Sequence, residues 1–286
     1  MSEKVKMLHN TFIHLPHIGQ VTEQRLWQNG INTWQDLMMG KNHYAKKFQH
    51  LAHFLKLSEQ KLQQYNARFF IDRLSTDQHW RLFPEFQFKT AYIDIETTGL
   101  GGPSDYITTI SIYDGKNVYN YVHGKNIEQF KYDIKNYSVL VSYNGKCFDI
   151  PFIEREFSIQ LTQAHLDLRY ILRSLGIKGG LKSCERQIGL RRGDLEGVDG
   201  YFAVLLWKDY LQGNKKALDT LLAYNIEDTV NLEKLMLYAY ERKIENLKLD
   251  KRNIISLPGQ SVKTESIKIP FQPDYQTIKK IWDKYY

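Results

Sequence analysis

The sequence predicts an α/β protein in which a mixed β-sheet is flanked by helices and preceded by a smaller helical region. Three apolar runs with strand-like alternation stand between residues 91 and 122, and a fourth run follows at 138–143. Mainly helical periodicity continues from there to residue 246, whereas the chain before residue 75 shows helical periodicity alone. Strands first and helices afterwards, with crossovers between them, are typical of a layered α/β domain.

Length and composition fit a globular protein with two domains. The chain has 286 residues, of which 42% are hydrophobic and 25% charged. We expect a helical N-terminal region at 1–88, the main domain at 89–246 and a C-terminal extension at 247–286. No apolar run approaches the ~18 residues of a membrane span, and the first ten residues lack an export signal, so no membrane association is expected.

Charge and cysteine content restrict the partners and the compartment. A net charge of +7 and a pI near 9.1 lean toward a polyanionic partner. The two cysteines, Cys147 and Cys184, have no metal-like spacing, which predicts a reducing cytoplasm and no disulfide framework. The sequence gives no sign of an obligate protein partner.

Residues 11–39 form a predicted helical unit. A turn at 16–19 precedes a helical stretch at 22–29, and Thr33 is a plausible N-cap for a second short helix. This arrangement resembles a helix-hairpin-helix, whose turn amides and helix N-termini can hold a nucleic-acid phosphate. Because only Gly19 stands where a Gly-x-Gly is usual, a small packing unit that docks on the main domain is the alternative.

The following segment is predicted to be helical and then to connect the two domains. Amphipathic helices are expected over 43–73, joined near residues 57–58. Their basic residues are explained by a solvated helix face. Residues 75–89, which mix polar and aromatic side chains and include Pro84, are interpreted as the connection to the main domain.

The main domain is predicted element by element. Asp114-Gly115 marks a hairpin between strands at 106–113 and 117–122. After the strand at 138–143, a helix begins near Asp149 and a strand end at 165–168 runs into another helix. Further helices are expected at 127–136, 181–188, 201–210 and 215–246. Patterning fades after Leu247 except for a last helix around 275–282, and residues 257–259 are expected to be irregular.

The first strand carries two carboxylates, Asp94 and Glu96. Alternation places them on the face opposite to Ala91, Ile93 and Ile95. Residues two apart in a strand are separated by roughly 6.6 Å, so both side chains can reach one divalent cation or a pair of ions. An Asp-x-Glu pair is also common by chance in a chain with 32 acidic residues, so partners elsewhere must decide.

Two more acids stand at predicted helix positions. Asp149 lies where a helix begins, and with Pro151 in the first turn it fits a simple N-cap. Asp228 interrupts the apolar stripe of the long helix, and Tyr224 shares its face. Burial of an unpaired carboxylate is costly, so Asp228 needs either a buried hydrogen bond or salt bridge, or a metal shared with Asp94 and Glu96. Hard divalent ions prefer such oxygen ligands.

Three segments carry a resemblance to a known family. Residues 94–100, then 144–149 in the form Asn-x-x-x-Phe-Asp, and 224–228 in the form Tyr-x-x-x-Asp resemble the three motifs of the DEDD (DnaQ-like) exonuclease superfamily, whose fold is ribonuclease H-like. Tyr224 resembles the DEDDy subgroup, because no histidine occupies position 223. The chain is similar to bacterial YprB-like exonuclease-domain proteins and more distantly to the proofreading domain of family B DNA polymerases. The resemblance covers residues 88–242 well and 11–39 loosely.

The resemblance implies a role for each motif residue. Asp94, Glu96 and Asp228 would hold one divalent cation, and Asp94 would share a second cation with the phosphate, supported by Asp149. Two cations, Mg²⁺ or Mn²⁺, are implied. Tyr224 would hold the attacking water together with Glu96. Because a tyrosine with a pKa near 10 is a poor base at neutral pH, its role would be to orient the water and not to remove its proton. Thr97, Leu100 and Asn144 are assigned to the substrate by resemblance.

The resemblance also implies the activity. We expect a metal-dependent 3′-to-5′ exonuclease that acts on the 3′ end of DNA or RNA, with single-stranded ends favoured. The alternative is a non-catalytic nucleic-acid-binding module on the same fold, and an endonuclease is a third interpretation. Asp167 is interpreted as structural, and His123 and His165 as packed or surface residues. Five basic residues lie in predicted loops that face either a phosphate backbone or solvent: Lys146, Lys178, Lys182, Arg191 and Arg192.

Overall fold

Five strands form one mixed sheet in the computed structural model, which describes residues 7–192, 195, 199–249 and 269–285. The strands are β1 (Thr90–Thr97), β2 (Ile107–Tyr113), β3 (Val118–Val122), β4 (Val139–Ser142) and β5 (Ala164–Asp167). Their spatial order is β3-β2-β1-β4-β5. The pairs β1/β2 and β2/β3 are antiparallel, and the pairs β1/β4 and β4/β5 are parallel. The predicted mixed sheet is therefore confirmed.

Helices precede, cover and follow this sheet. Those before it are α1 (Gln20–Gln28), α2 (Trp34–Met38), α3 (His43–Lys46), α4 (Ala52–Gln63), α5 (Ala67–Ile71) and α6 (Phe83–Phe86). Between and after the strands lie α7 (Phe130–Asp133), α8 (Asp149–Phe157), α9 (Leu168–Arg173), α10 (Leu181–Gln187), α11 (Gly200–Leu211), α12 (Lys215–Glu245) and α13 (Tyr275–Tyr285). Short 3-10 helices occur at Met7–Asn10, Gln49–Leu51, Thr76–Leu82, Gln87–Lys89, Ile127–Gln129 and Ile134–Asn136.

The two faces of β1 enter different cores. Tyr92 belongs to a large core that includes residues of the N-terminal helices and of α12. Ala91, Ile93 and Ile95 point into a second core, together with Phe152 of α8. The alternation predicted from the sequence is therefore present, and it aims the side chains of Asp94 and Glu96 toward α12.

The N-terminal helices share their core with the sheet. Trp80, Phe83 and Phe86 are buried in the same cluster as Tyr92, so residues 75–89, which we interpreted as the connection to the main domain, form a packed helical segment. Arg81 in this segment forms a buried ion pair with Glu23 of α1 at 2.9 Å. The domain boundary near residue 88 stays a prediction.

Three local predictions need correction. The helix break expected near residues 57–58 is wrong, because α4 runs through to Gln63 and the chain turns at Tyr65, which has φ 52°. The described residues before Pro16 (7–15) contain a 3-10 helix at Met7–Asn10 and no α-helix, so among the described residues the turn at 16–19 has an α-helix on its C-terminal side only. The predicted helix at 127–136 is a short α-helix between two 3-10 turns.

Other element predictions are confirmed. Thr33 caps α2 in a capping box with Asp36, and the last helix is present as α13. Residues 257–259 lie outside the described residues. Over the part of the chain that the structure describes, none of the helices combines the length and apolar character needed to cross a membrane.

Candidate active site

Three carboxylates from two elements meet where α12 crosses β1. Asp94 and Glu96 come from β1, and Asp228 comes from the middle of α12. One carboxylate oxygen from each lies within 4.8 Å of the other two. Glu96 and Asp228 are buried, and Asp94 is partly exposed. The strand alternation and the helical stripe that pointed to these residues thus converge on one site.

An asparagine fixes Asp94 within this site. Asn225 Nδ2 donates to Asp94 Oδ2 at 2.7 Å and to the Asp94 carbonyl at 3.2 Å. The Oδ1 atom of Asn225 accepts hydrogen bonds from the hydroxyls of Ser111 (2.7 Å) and Thr109 (3.2 Å) on β2. Asn225 is fully buried, so this polar network binds α12 to β1 and β2. Sequence reasoning missed it, although an asparagine next to Tyr224 on a buried helix face was a usable signal.

Asp149 is not one of the three acids whose oxygens lie within 4.8 Å of one another, and it does not cap its helix. It is the first residue of α8, after Phe148 at the N-cap position, and the cap makes no side-chain hydrogen bond. The N-cap interpretation was therefore wrong. Burial raises the pKa of Asp149 to about 7. Its charge is one of the causes that raise the pKa of Asp94 and of Glu96.

Two basic side chains enter the site from α10 and the loop after it. Arg192 is buried and contacts Asp228, while its Nη2 atom donates to Glu185 Oε1 at 2.6 Å. Lys182 donates to the Tyr224 hydroxyl and lies over the Tyr224 ring. Both residues were predicted to lie in loops that face solvent or a phosphate backbone, and the structure instead places them against the acids. Their partners are 36 to 42 residues away in sequence, so no local pattern could reveal them.

Tyr224 is itself buried beneath the acids. Its side chain is 2% exposed. Burial raises the pKa of its hydroxyl well above 10, and the charges of Asp228 and Glu96 raise it further. The hydroxyl therefore stays protonated at neutral pH and can orient a ligand but cannot act as a base.

Of the remaining predicted site residues, Thr97 is the last residue of β1, and Leu100 and Asn144 lie in the segments after β1 and β4. Thr97 is buried at the end of β1, and its hydroxyl donates to the Gly99 carbonyl at 2.6 Å. Leu100 is 95% exposed. Asn144 has φ 63°, and its side-chain oxygen accepts a hydrogen bond from Arg169. The next residue must be glycine, because a Cβ at Gly145 would lie 2.0 Å from Ser142 Oγ.

Asp167 and two histidines have structural surroundings. Asp167 caps α9 and accepts backbone N–H groups of Asn144, Lys146 and Arg169 at 2.8 to 3.0 Å, as its structural interpretation predicted. His165 hydrogen-bonds Ser142 at 2.8 Å, and burial lowers its pKa to about 3. His123 packs against the Tyr106 ring.

The family model of the RNase H superfamily matches residues 91–240, which is more than half of the 286 residues. The chain belongs to the RNase H superfamily. No curated protein matches it in sequence.

Among solved structures, the family B DNA polymerase from the hyperthermophilic archaeon Pyrobaculum calidifontis resembles this RNase H superfamily chain at 18% identity and a TM-score of 0.42. The alignment covers 58% of this chain and 27% of the polymerase chain, so the chain spans about a quarter of that protein.

The acids fit the divalent ions that RNase H-like nucleases use. Burial, and then the like charges of Asp228, Glu96 and Asp149, raise the pKa of Asp94 well above its ordinary value. Burial and Asp228 likewise raise the pKa of Glu96. Carboxylates held this close repel one another when ionised, and a cation among them relieves that repulsion. The donor set contains oxygen atoms only, as Mg²⁺ and Mn²⁺ prefer.

Proposed function

We propose that this RNase H superfamily chain is a metal-dependent 3′-to-5′ exonuclease of the DEDDy type, close to the YprB-like proteins, that hydrolyses phosphodiester bonds at a 3′ end of nucleic acid. The observation that supports it most is the meeting of Asp94, Glu96 and Asp228 within 4.8 Å of one another. Tyr224, four residues before Asp228 on α12, and Asp149, whose charge contributes to the raised pKa of Asp94, supply the other two residues of the proposed DEDDy set. Single-stranded ends are favoured because the terminal bond must reach partly buried acids.

Each residue has a proposed task. Asp94, Glu96 and Asp228 would hold one cation, and Asp94 and Asp149 would support a second. When bound, two such cations supply Lewis-acid activation of water and neutralise charge on the phosphate and the leaving 3′ oxygen. Tyr224 stays protonated and orients the attacking water together with Glu96.

The basic and substrate-side residues complete this proposal. Arg192 holds Asp228 against Glu185, so it orients that carboxylate. Lys182 holds the Tyr224 hydroxyl in place. Thr97, Leu100 and Asn144 are proposed to contact the terminal nucleotides. The two free cysteines, of which Cys184 is buried, fit the reducing cytoplasm that we propose for the protein.

A time course on 5′-labelled single-stranded DNA and RNA, with Mg²⁺ or Mn²⁺, tests the proposal. We expect a ladder that shortens from the 3′ end and vanishes in Asp94→Ala and Asp228→Ala variants that remain folded. The substrate that is degraded identifies DNA or RNA as the target. Circular single strands should resist cleavage.

Other outcomes would point elsewhere. Binding of the oligonucleotides with no cleavage by either ion would overturn the exonuclease proposal in favour of a binding module. Cleavage of circles would indicate an endonuclease. Hydrolysis that persists in both alanine variants would show that the acids are not the site.

A further inference from the structure

A polar pocket lies beside Asn144. It is formed by α9, by the loop that follows α9 and by the residues at the end of β4. It has a volume of about 620 Å³, within the range of ligand pockets. We call it the basic pocket, because Arg169, Arg173 and Lys178 line it together with Tyr143, Asn144 and the Gly179-Gly180 pair. We propose that the basic pocket binds the phosphates of the nucleic-acid strand whose end lies among the acids.

The charge of the basic pocket selects an anion. Its lining contains three cationic side chains and no carboxylate. All three cations are exposed, and within the described ranges none of them lies within ion-pair distance of an acid. The Asp167 carboxylate, which lies behind Asn144, is already engaged by three backbone N–H groups. A group of cations without a counterion attracts a polyanion. Binding is then favoured further because it releases the counterions that were condensed on the polyanion.

The wall of the basic pocket is held in place by fixed contacts. The Tyr143 hydroxyl donates to the Gly179 carbonyl and contacts Cys184 Sγ at 3.2 Å, which ties the loop to the end of β4. Gly179 has φ 119°, and a Cβ there would lie 2.7 Å from Ser183 Oγ, so only glycine fits this close turn. The basic pocket thus combines an aromatic side chain with exposed cations. Proteins that bind single-stranded nucleic acids use this combination.

Helix α10 links the basic pocket to the candidate active site, because Leu181 lines the pocket and the next residue, Lys182, donates to the Tyr224 hydroxyl. Asn144 lines the pocket and also begins the segment that ends at Asp149. Within the basic pocket, the Arg169 guanidinium donates a hydrogen bond to the Asn144 side chain. A strand that places its terminal bond at the acids can thus pass Asn144 and set its following phosphates in the basic pocket. The identity of the strand rests on the proposed function, whereas the selection of a phosphate anion rests on the charge alone.

The test measures binding without turnover. Anisotropy of a fluorescein-labelled oligo(dT) is followed in EDTA at increasing NaCl, with the full chain, with Arg173→Gln/Lys178→Gln and with the control Lys208→Gln/Lys279→Gln. The control removes the same charge at exposed positions on α11 and α13. Two lost phosphate contacts should reduce the slope of log K against log[salt] by about 1.4 and weaken binding, because each contact contributes roughly 0.7 on single strands. The control should retain the parental slope.

Several results would overturn the inference. One is that the two double variants give the same dependence of binding on salt. Another is that binding by the parent does not depend on salt. A third is that thymidine 5′-phosphate competes with the affinity of the oligonucleotide, because the pocket would then be a mononucleotide site. The cleavage assay with Mg²⁺ or Mn²⁺ separates the two proposals. Cleavage by the parent without a binding difference overturns the basic pocket alone, and a binding difference without cleavage overturns the nuclease alone.

Discussion

Asn225 of α12 donates a hydrogen bond to the carboxylate of Asp94 on β1 over 2.7 Å, across 131 residues of sequence. The same amide accepts hydrogen bonds from two hydroxyls of β2, so its orientation is fixed from both ends. A hydrogen bond from a fixed neighbour sets the direction in which a ligating carboxylate points. Asn225 is therefore a positioning residue of the candidate active site.

Replacing Asn225 should weaken metal binding and the fold together. For Asn225→Ala we expect Mn²⁺ affinity to fall about 10- to 100-fold, as for the loss of a partner of a metal ligand. The free energy of unfolding should fall by about 1–3 kcal/mol, because the Ser111 and Thr109 hydroxyls lose their buried acceptor. Calorimetric Mn²⁺ titration and urea unfolding measure the two effects. Ser111→Ala is the control, since it keeps the Asp94 bond and should change Mn²⁺ affinity far less. Parental affinity in Asn225→Ala would contradict the positioning role.

The acids should oppose folding when no metal is present. Glu96 is buried near Asp228, and both burial and that charge raise its pKa. For Glu96→Gln we expect hydrolysis to fall roughly 10²-fold or more, while the free energy of unfolding in EDTA at pH 8 stays equal or rises.

The matched control for Glu96 is Glu185. Glu185 is also buried, but it is paired with Arg192 and Asn231. Glu185→Gln breaks a buried ion pair and should destabilise the protein by about 3–5 kcal/mol. Urea unfolding of both variants checks the contrast, and a similar loss of stability in Glu96→Gln would show that no repulsion exists.

Asp149 should give a pH dependence with a definite sign. Burial raises its pKa to about 7 in the folded, metal-free chain, above the ordinary 3.8. The folded state therefore binds the proton more tightly, and the stability from this group is present below pH about 4 and lost as pH rises to about 7. Asp149→Asn does not titrate, so its free energy of unfolding relative to the parent should rise across this interval. Unfolding in EDTA at several pH values measures the difference, and saturating Mg²⁺ should shrink it. A pH-independent difference would contradict the assignment.

The ion pair between Glu23 and Arg81 should join the N-terminal helices to the rest of the fold. Both side chains are buried, and Glu23 Oε1 also accepts the Phe12 backbone N–H at 2.7 Å. Arg81→Met leaves a buried carboxylate unpaired and should cost about 3–5 kcal/mol. The double variant Arg81→Met/Glu23→Gln should recover part of this loss, because it removes the charge. Urea unfolding followed by circular dichroism and tryptophan fluorescence should show one transition. Two separate transitions would mean that the shared core does not couple the N-terminal helices to the sheet.

Leu100 should affect substrate binding without affecting stability. Its side chain is 95% exposed, so Leu100→Ala removes almost no buried apolar surface. It should change the free energy of unfolding by less than about 0.5 kcal/mol. If Leu100 packs on the terminal nucleotide, KM for single-stranded substrate should rise severalfold. Leu211→Ala, at another exposed leucine, should leave KM unchanged. Equal KM values in both variants would remove Leu100 from the site.

The sequence by itself determined that the fold is a layered α/β fold and which faces of β1 and α12 carry the acids. Period-two alternation in β1 puts Asp94 and Glu96 on the face opposite to Ile93, and the helical period of α12 puts Asp228 on its buried stripe. Both patterns repeat within a few residues, so they can be read from the chain alone. The acids could therefore be assigned to one site before any contact was known.

Only the tertiary structure decided what surrounds those acids. Arg192 stands in a stretch whose pattern indicates only a basic loop, and Lys182 stands in a short predicted helix, yet folding brings them to Asp228 and Tyr224. Asn225 reaches Asp94 only because α12 crosses β1 at that point. Such contacts join distant parts of the chain, and the relative placement of packed elements, which no local period encodes, determines them.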